Sequence, residues 1–324
     1  MVTIREPDKR AGTTPHGTVN GVTDGAIRDR FRDVEARFMD VLLGDPDEAE
    51  APEPRLREAV EAKLGEGPPP VPRLPSVIPD LFAALHDDAT SVATFINRDP
   101  ALAAQVIRVA NSVYYRRGNR LVENLDQALL VLGEAGLQAA VAQAALLPLL
   151  AVDTPPLTTL GPGLWQHATR TAAVGQLLAN SRQVDPFTAN LTGLLHDVGH
   201  LALLRLAQHQ GKRYDIPLDA GTARYLMVRH GPAVSRDVVE SWDLPPTLRR
   251  AIAERATDPH PNPDALSDAG LVLCWSILGS KLGLLVSREL ESEDRAQQLL
   301  VDVGVDARQA ERVIQTAGLT EGNG

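Results

Sequence analysis

The chain has 324 residues, 32 of them basic and 42 acidic, for a formal net charge of −10; at roughly 100–200 residues per domain this length holds two domains, or one large domain with extensions. The negative balance excludes a chain that grips nucleic acid mainly by overall charge. The single Cys274 excludes an intrachain disulfide, a thiolate zinc cluster and a CxxC redox pair, in keeping with a reducing cytoplasm.

In chain order, Met1 to Pro7 carries no apolar signal-like segment, and residues 1–23, rich in Gly, Thr, Pro and charge, are expected to form a disordered tail. Ile27, Phe31, Val34, Phe38, Val41 and Leu42 recur at helical spacing, with Asp24 as N-cap and Gly44 as stop, so residues 24–64 are expected to hold an amphipathic helix and a short charged one around Arg55–Leu64. The Pro-rich run 65–73 reads as a stiff linker. A main domain is expected over residues 74–290, followed by a C-terminal helix and tail over 291–324.

After Pro75 the pattern is helical almost throughout. Helices are expected at Pro100–Val113, Leu125–Leu132 (capped by Asn124 and ended by Gly133), Leu137–Leu150, Leu164–Ser181, Phe187–Ala207, Thr222–Trp242, Pro246–Arg255, Ser267–Leu290 and Ser292–Thr316. Ala, Leu and Val carry most of the 44% apolar share and aromatics only 4%, which favours helices over sandwiches or barrels. No period-2 strand set, no 20–50-residue repeat and no apolar run of the ~18 residues needed to cross a membrane is read in the sequence. The fold class is all-α.

Leu191 to Leu204 is apolar in nearly every direction of a helix, and such a helix is buried. His196, Asp197 and His200 interrupt it, and buried polar side chains are costly unless they pair, hydrogen-bond or bind a metal. His196 and His200, at i and i+4, share a face. His167 is a second polar residue in apolar surroundings, facing inward with Leu164, Thr171 and Val174; a short turn at Arg182–Pro186 would pack the two helices antiparallel and bring His167 to His196 and Asp197. Imidazole and carboxylate suit Zn, Mn or Fe, and a metal held this way activates water for phosphoester hydrolysis. A buried hydrogen-bonded network that only fixes helix packing explains the same residues. His196-Asp197-Val198-Gly199-His200 also has the outline of a zinc-protease H-E-x-x-H, but Asp is shorter than the general-base Glu and no third ligand is clear. Tyr114 to Arg120 combines aromatics with three Arg, although Gly118-Asn119 marks it as a solvated turn.

The sequence resembles the HDOD family, the HD-related output domains within the HD metal-dependent phosphohydrolase superfamily. The resemblance covers about Pro72 to Leu285: Leu74-Pro75-Ser76 at the start, Asn97-Arg98-Asp99-Pro100-Ala101-Leu102, Val106 to Tyr115, Asp126 to Gly133, Trp165-Gln166-His167, Gly193 to Gly199, and the W-x-L-P block at Trp242 to Pro245. It implies an HD-like helical bundle and carries over His167, His196 and Asp197 as metal ligands. The chain also departs from the family pattern. Ser280 stands where catalytic HD hydrolases place a later Asp, His200 stands where they often carry Lys, and the His expected eleven positions before Trp242 falls on Gly231, with His230 beside it.

These departures favour a non-catalytic cytoplasmic signal-transduction regulator that binds a signalling protein or a second-messenger ligand, makes no membrane or nucleic-acid contact, and keeps His167, His196 and Asp197 as a vestigial or structural site. The alternative is a metal-dependent phosphohydrolase acting on nucleotides or cyclic dinucleotides, with Mn, Fe, Zn or Mg at those residues and His200 or His230 as catalytic candidates. In a third reading the helix Ile27–Leu42 docks on a partner, or on a second copy to give a homo-oligomer, against its packing back on its own domain.

Overall fold

The structure, a computed structural model, describes residues 18–19, 22–44, 51–70, 73–79, 96, 100–112, 121–150, 157–242, 244–258 and 265–318. These form twelve α-helices and one short antiparallel ladder, β1 (Thr18–Val19) with β2 (Val22–Thr23), inside the segment expected to be tail. The helices are α1 (Asp24–Leu43), α2 (Pro54–Gly65), α3 (Pro100–Ala110), α4 (Leu125–Leu150), α5 (Leu160–Leu178), α6 (Pro186–Leu195), α7 (Val198–Tyr214), α8 (Ala220–Glu240), α9 (Pro246–Thr257), α10 (Asp268–Ser287), α11 (Glu293–Asp302) and α12 (Ala307–Gly318). The all-α fold is as expected. Residues 1–17, and the Tyr114 to Arg120 segment, lie outside the described residues.

The helix starts follow side-chain chemistry. Asp185 accepts from the Thr188 N–H at 2.7 Å with Pro186 in the first turn of α6, Asp219 does the same for Thr222 on α8, and Asn124 accepts from Gln127 at 2.9 Å to open α4. Two expected helices are joined and two others are interrupted. Residues 125–150 run on as α4, but Gly133 takes φ 67° and ψ −177°, so the two expected pieces meet at a kink. Residues 292–316 divide into α11 and α12 at Gly304, whose φ is 99°. Residues 187–207 break at His196 and Asp197, where the chain turns between α6 and α7.

By length and mean hydropathy α10 and the span Leu125–Pro148 of α4 do pass the test for a membrane segment, contrary to the sequence reading. For α10 the packing supplies the reason: 94% of its apolar window is buried in the protein, which makes it the central helix of the bundle, bordered by α5, α9 and α12.

α1 packs back on its own domain. Its stripe of Ile27, Phe31, Val34, Phe38 and Met39 is buried in the same apolar cluster as the bundle. Around the stripe Arg30 pairs with Asp302, Arg37 with Glu291 at 2.7 Å, and Asp40 with Arg224 at 2.9 Å. Each buried apolar side chain contributes about 1.5–3 kcal/mol, and each partly exposed ion pair about 0–1 kcal/mol. The stripe therefore holds α1 down and the ion pairs set where it lies. α2 joins the same cluster through Leu56 and Val60, packed near α7.

Candidate metal centre

Close helix crossings build the site. A Cβ at Gly193 would lie 2.6 Å from the Ala172 Cα, and one at Gly199 would lie 2.2 Å from the Ser235 nitrogen. Only glycine lets α6 approach α5 and α7 approach α8 this closely. Ser235 Oγ then accepts the Gly199 N–H at 2.9 Å. Because α6 ends at Leu195, His196 and Asp197 sit at a joint between two helices, and the Asp197 carboxylate comes to the His196 ring.

His167, His196 and Asp197 converge, and all three are buried. His196 Nε2 is 3.2 Å from His167 Nε2 and 3.1 Å from Asp197 Oδ2, and His167 Nε2 is 3.7 Å from the same oxygen. The far sides of both rings are engaged. His196 Nδ1 lies 2.7 Å from the Gly193 carbonyl, which can only accept, so the proton is on Nδ1. Ser280 Oγ donates to the His167 carbonyl at 3.3 Å and accepts from His167 Nδ1 at 2.9 Å. With the Nδ1 protons so placed, two imidazole lone pairs and a carboxylate oxygen face one another, an arrangement that a divalent cation satisfies.

Burial, the largest influence, pushes His167 well below the ordinary histidine value and His196 below it, against a second proton on either ring. Burial alone would raise the Asp197 carboxyl, but His196, His200 and Arg255 outweigh it and hold the group well below the usual carboxylate range. The circle through the three donor atoms has a radius of about 1.9 Å, just inside the ~2.0–2.2 Å of zinc–nitrogen and zinc–oxygen bonds. The residues fit one divalent metal of the kind that takes imidazole and carboxylate ligands. Ser280, read from sequence as a missing carboxylate, fixes the His167 tautomer, the supporting role that ligand-orienting partners play at metal sites.

A ring of charge surrounds the triad. Arg255 Nη1 on α9 lies 3.1 Å from Asp197 Oδ1, and Lys281 on α10 pairs with Glu35 on α1. Lys281 also stands 5.0 Å over the Phe38 ring, which packs 4.5 Å from the His167 ring. Thus α1 closes the site with Phe38 and Glu35. Sequence alone assigns none of Glu35, Phe38, Arg255 and Lys281 to the site; Phe38 is read there only as part of the apolar stripe of α1. A usable signal existed for Lys281, which interrupts the apolar run Ile277 to Leu285 as His196 interrupts its own helix, and for Glu35, set among Phe31, Val34 and Phe38.

Burial alone would raise the Glu35 carboxyl, but Lys281 and Arg255 outweigh it and hold it below the ordinary glutamate value of 4.5. A carboxyl lowered in the folded state contributes stability that is fully present above its unfolded value and is lost as pH falls through its folded value. Glu35→Gln is expected to be less stable than the parent at pH 7, with the gap narrowing on acidification below about 4.5. Urea midpoints at pH 7 and pH 4 measure it; a gap that does not change with pH would contradict this role.

The two further histidines separate. His200 Nδ1 lies 3.3 Å from Asp197 Oδ2, at the edge of the triad. A Cβ at Gly231 would fall 2.0 Å from the His200 ring, so this imidazole occupies the room a side chain at 231 would need. The missing histidine of α8 is answered by one reaching over from α7. His230 is not at the centre: its Nε2 lies 3.1 Å from Glu61 Oε1 on α2, beside Tyr225.

A bundle in which one helix supplies His and a joint between two others supplies His-Asp defines an HD-type domain. The model of the HDOD domain matches residues 71–257, and the chain belongs to that family. Among solved structures it is similar to a Shewanella amazonensis SB2B protein provisionally named a metal-dependent phosphohydrolase (TM-score 0.56, 21% identity, covering 81% of this chain and 98% of that one). It is also similar to an HDOD domain protein of unknown function from Geobacter sulfurreducens (0.55, 19%, 81% and 89%). A Marinobacter aquaeolei VT8 protein provisionally named for signal transduction is similar over 92% of this chain and 66% of its own (0.51, 21%). At these identities the likeness shows the fold. A search of curated proteins finds no match.

Proposed function

We propose that this chain is a cytoplasmic regulatory module of bacterial signal transduction, with one divalent metal held by His167, His196 and Asp197 in a centre that does not turn over phosphoesters, and that it acts by binding a protein partner or small ligand. The observation that carries this reading is the closure of the centre by the chain's own helix. Phe38 covers His167, the Glu35–Lys281 pair lies over Phe38, and Arg255 holds the second oxygen of Asp197. His167 and His196 are 1% and 0% exposed, which leaves a phosphoester no approach while α1 is docked. A metal at these residues would supply a Lewis acid able to activate water. What this chain's residues do is orient the imidazoles through Ser280 and Gly193 and exclude solvent through Phe38.

The second reading, a metal-dependent phosphohydrolase, has in its favour the same three converging ligands and the provisional name of the Shewanella neighbour. Turnover separates the two. The full-length chain, incubated with Mn2+, bis(p-nitrophenyl) phosphate and cyclic dinucleotides, is expected to release product no faster than buffer. Release that His196→Ala abolishes would establish the hydrolase and overturn the regulatory reading.

A further inference from the structure

Beside the His-His-Asp centre a cavity of about 130 Å3 lies between α1, α8, α9 and α10. Its volume is close to that of apolar protein cavities of about 150 Å3 that admit benzene. Most of the wall is apolar: Phe31 and Met39 from α1, Met227 from α8, Cys274 and Leu278 from α10. Burial here pushes the Cys274 thiol up to about 12, a sign of how poorly this space supports charge.

One end of the cavity differs. His200, Arg255, Lys281 and Glu35 line it; Arg255 is matched by Asp197, Lys281 by Glu35, and the His200 ring lies 3.3 Å from the same Asp197 carboxylate. The two pairs cancel, so an added ion would be buried without compensation. Donors are nonetheless in surplus: a guanidinium offers five N–H groups and an ammonium three, more than one carboxylate apiece consumes. Such a space discriminates against ions and against molecules with nothing to accept a hydrogen bond.

We propose that this cavity is a binding site for a small uncharged molecule, an apolar body of about one ring bearing a single carbonyl-type acceptor that takes hydrogen bonds from Arg255 and Lys281. The apolar body lies against Met39, Met227 and Leu278. Such a site gives the regulatory reading a small-molecule input of defined chemistry.

Three matched probes test it on the full-length chain by calorimetry: acetophenone, ethylbenzene without the acceptor, and benzoate with a charge. Acetophenone is expected to bind at one per chain, with ethylbenzene and benzoate each at least tenfold weaker. Val228→Trp, at an exposed position lining the cavity, is expected to abolish acetophenone binding without lowering the melting temperature. The double variant E35Q/K281M, which removes one ion pair without leaving a lone charge, should weaken acetophenone about tenfold and leave ethylbenzene unchanged. A crystal soaked with 4-bromoacetophenone should show its bromine signal between α1 and α10, a readout that needs no variant to fold. Ethylbenzene binding as tightly as acetophenone, benzoate binding more tightly, no saturable binding of acetophenone, or bromine elsewhere would each overturn the proposal.

Discussion

Replacing Asp197 by Ala is expected to lower the unfolding free energy by about 3–5 kcal/mol, the range for removing one partner of a buried ion pair. The loss comes less from the absent attraction than from what stays behind. Arg255, whose side chain is 12% exposed, keeps its charge with no carboxylate at 3.1 Å to answer it. Removing both charges should therefore restore much of the stability: the double variant D197A/R255M is expected to recover more than half of the loss, because a hydrophobic pair of similar volume is often neutral or better. Urea unfolding of the two variants measures this. If D197A/R255M is less stable than D197A alone, the buried Arg255 charge is not the cause. Both variants should lose metal alike, which separates the carboxylate's part in stability from its part at the centre.

Phe38→Ala is the second large effect. Phe38 is 2% exposed, fills the space over the His167 ring and supports Lys281. Truncating a buried Phe costs about 3–5 kcal/mol through lost transfer energy and the cavity left behind. Since α1 is held mainly by five buried side chains, the first consequence is its undocking rather than global unfolding. Hydrogen exchange is expected to accelerate across residues 24–43 and along the α10 face around Lys281, with α5 and α6 still protected. Exchange that rises equally in all helices would show that α1 and the bundle unfold as one unit. A loss below about 1 kcal/mol would show that the site collapses to fill the gap.

Much of this architecture is legible in the sequence because it rests on local chemistry. Helical spacing of apolar residues, Asn124 as a start, and the Gly133 break all act within a few residues of themselves. The convergence of His167 with His196 and Asp197 was legible too, from polar residues placed where a buried helix admits none. What was not legible depends on contacts between distant segments. The expected continuous helix through His196 breaks because Gly193 and Gly199 draw α6 and α7 onto different neighbours, α5 and α8. No local pattern announces that. Glu35 and Lys281 are 246 residues apart and become meaningful only once α1 lies across α10. Ser280 read as a lost ligand because the comparison was by residue type; its geometry makes it the partner that orients His167. His200 gains its place from an absence, the room left at Gly231.

The metal centre predicts one thing above all: the two imidazole nitrogens and the carboxylate oxygen, buried and 3.1–3.7 Å apart, take up one divalent ion. Calorimetric titration of the chelator-treated full-length chain with Mn2+ and with Zn2+ at pH 7 tests it most directly. One metal per chain is expected, abolished in His196→Ala although that variant melts cooperatively. No binding of either ion, or binding unchanged in His196→Ala, would contradict it.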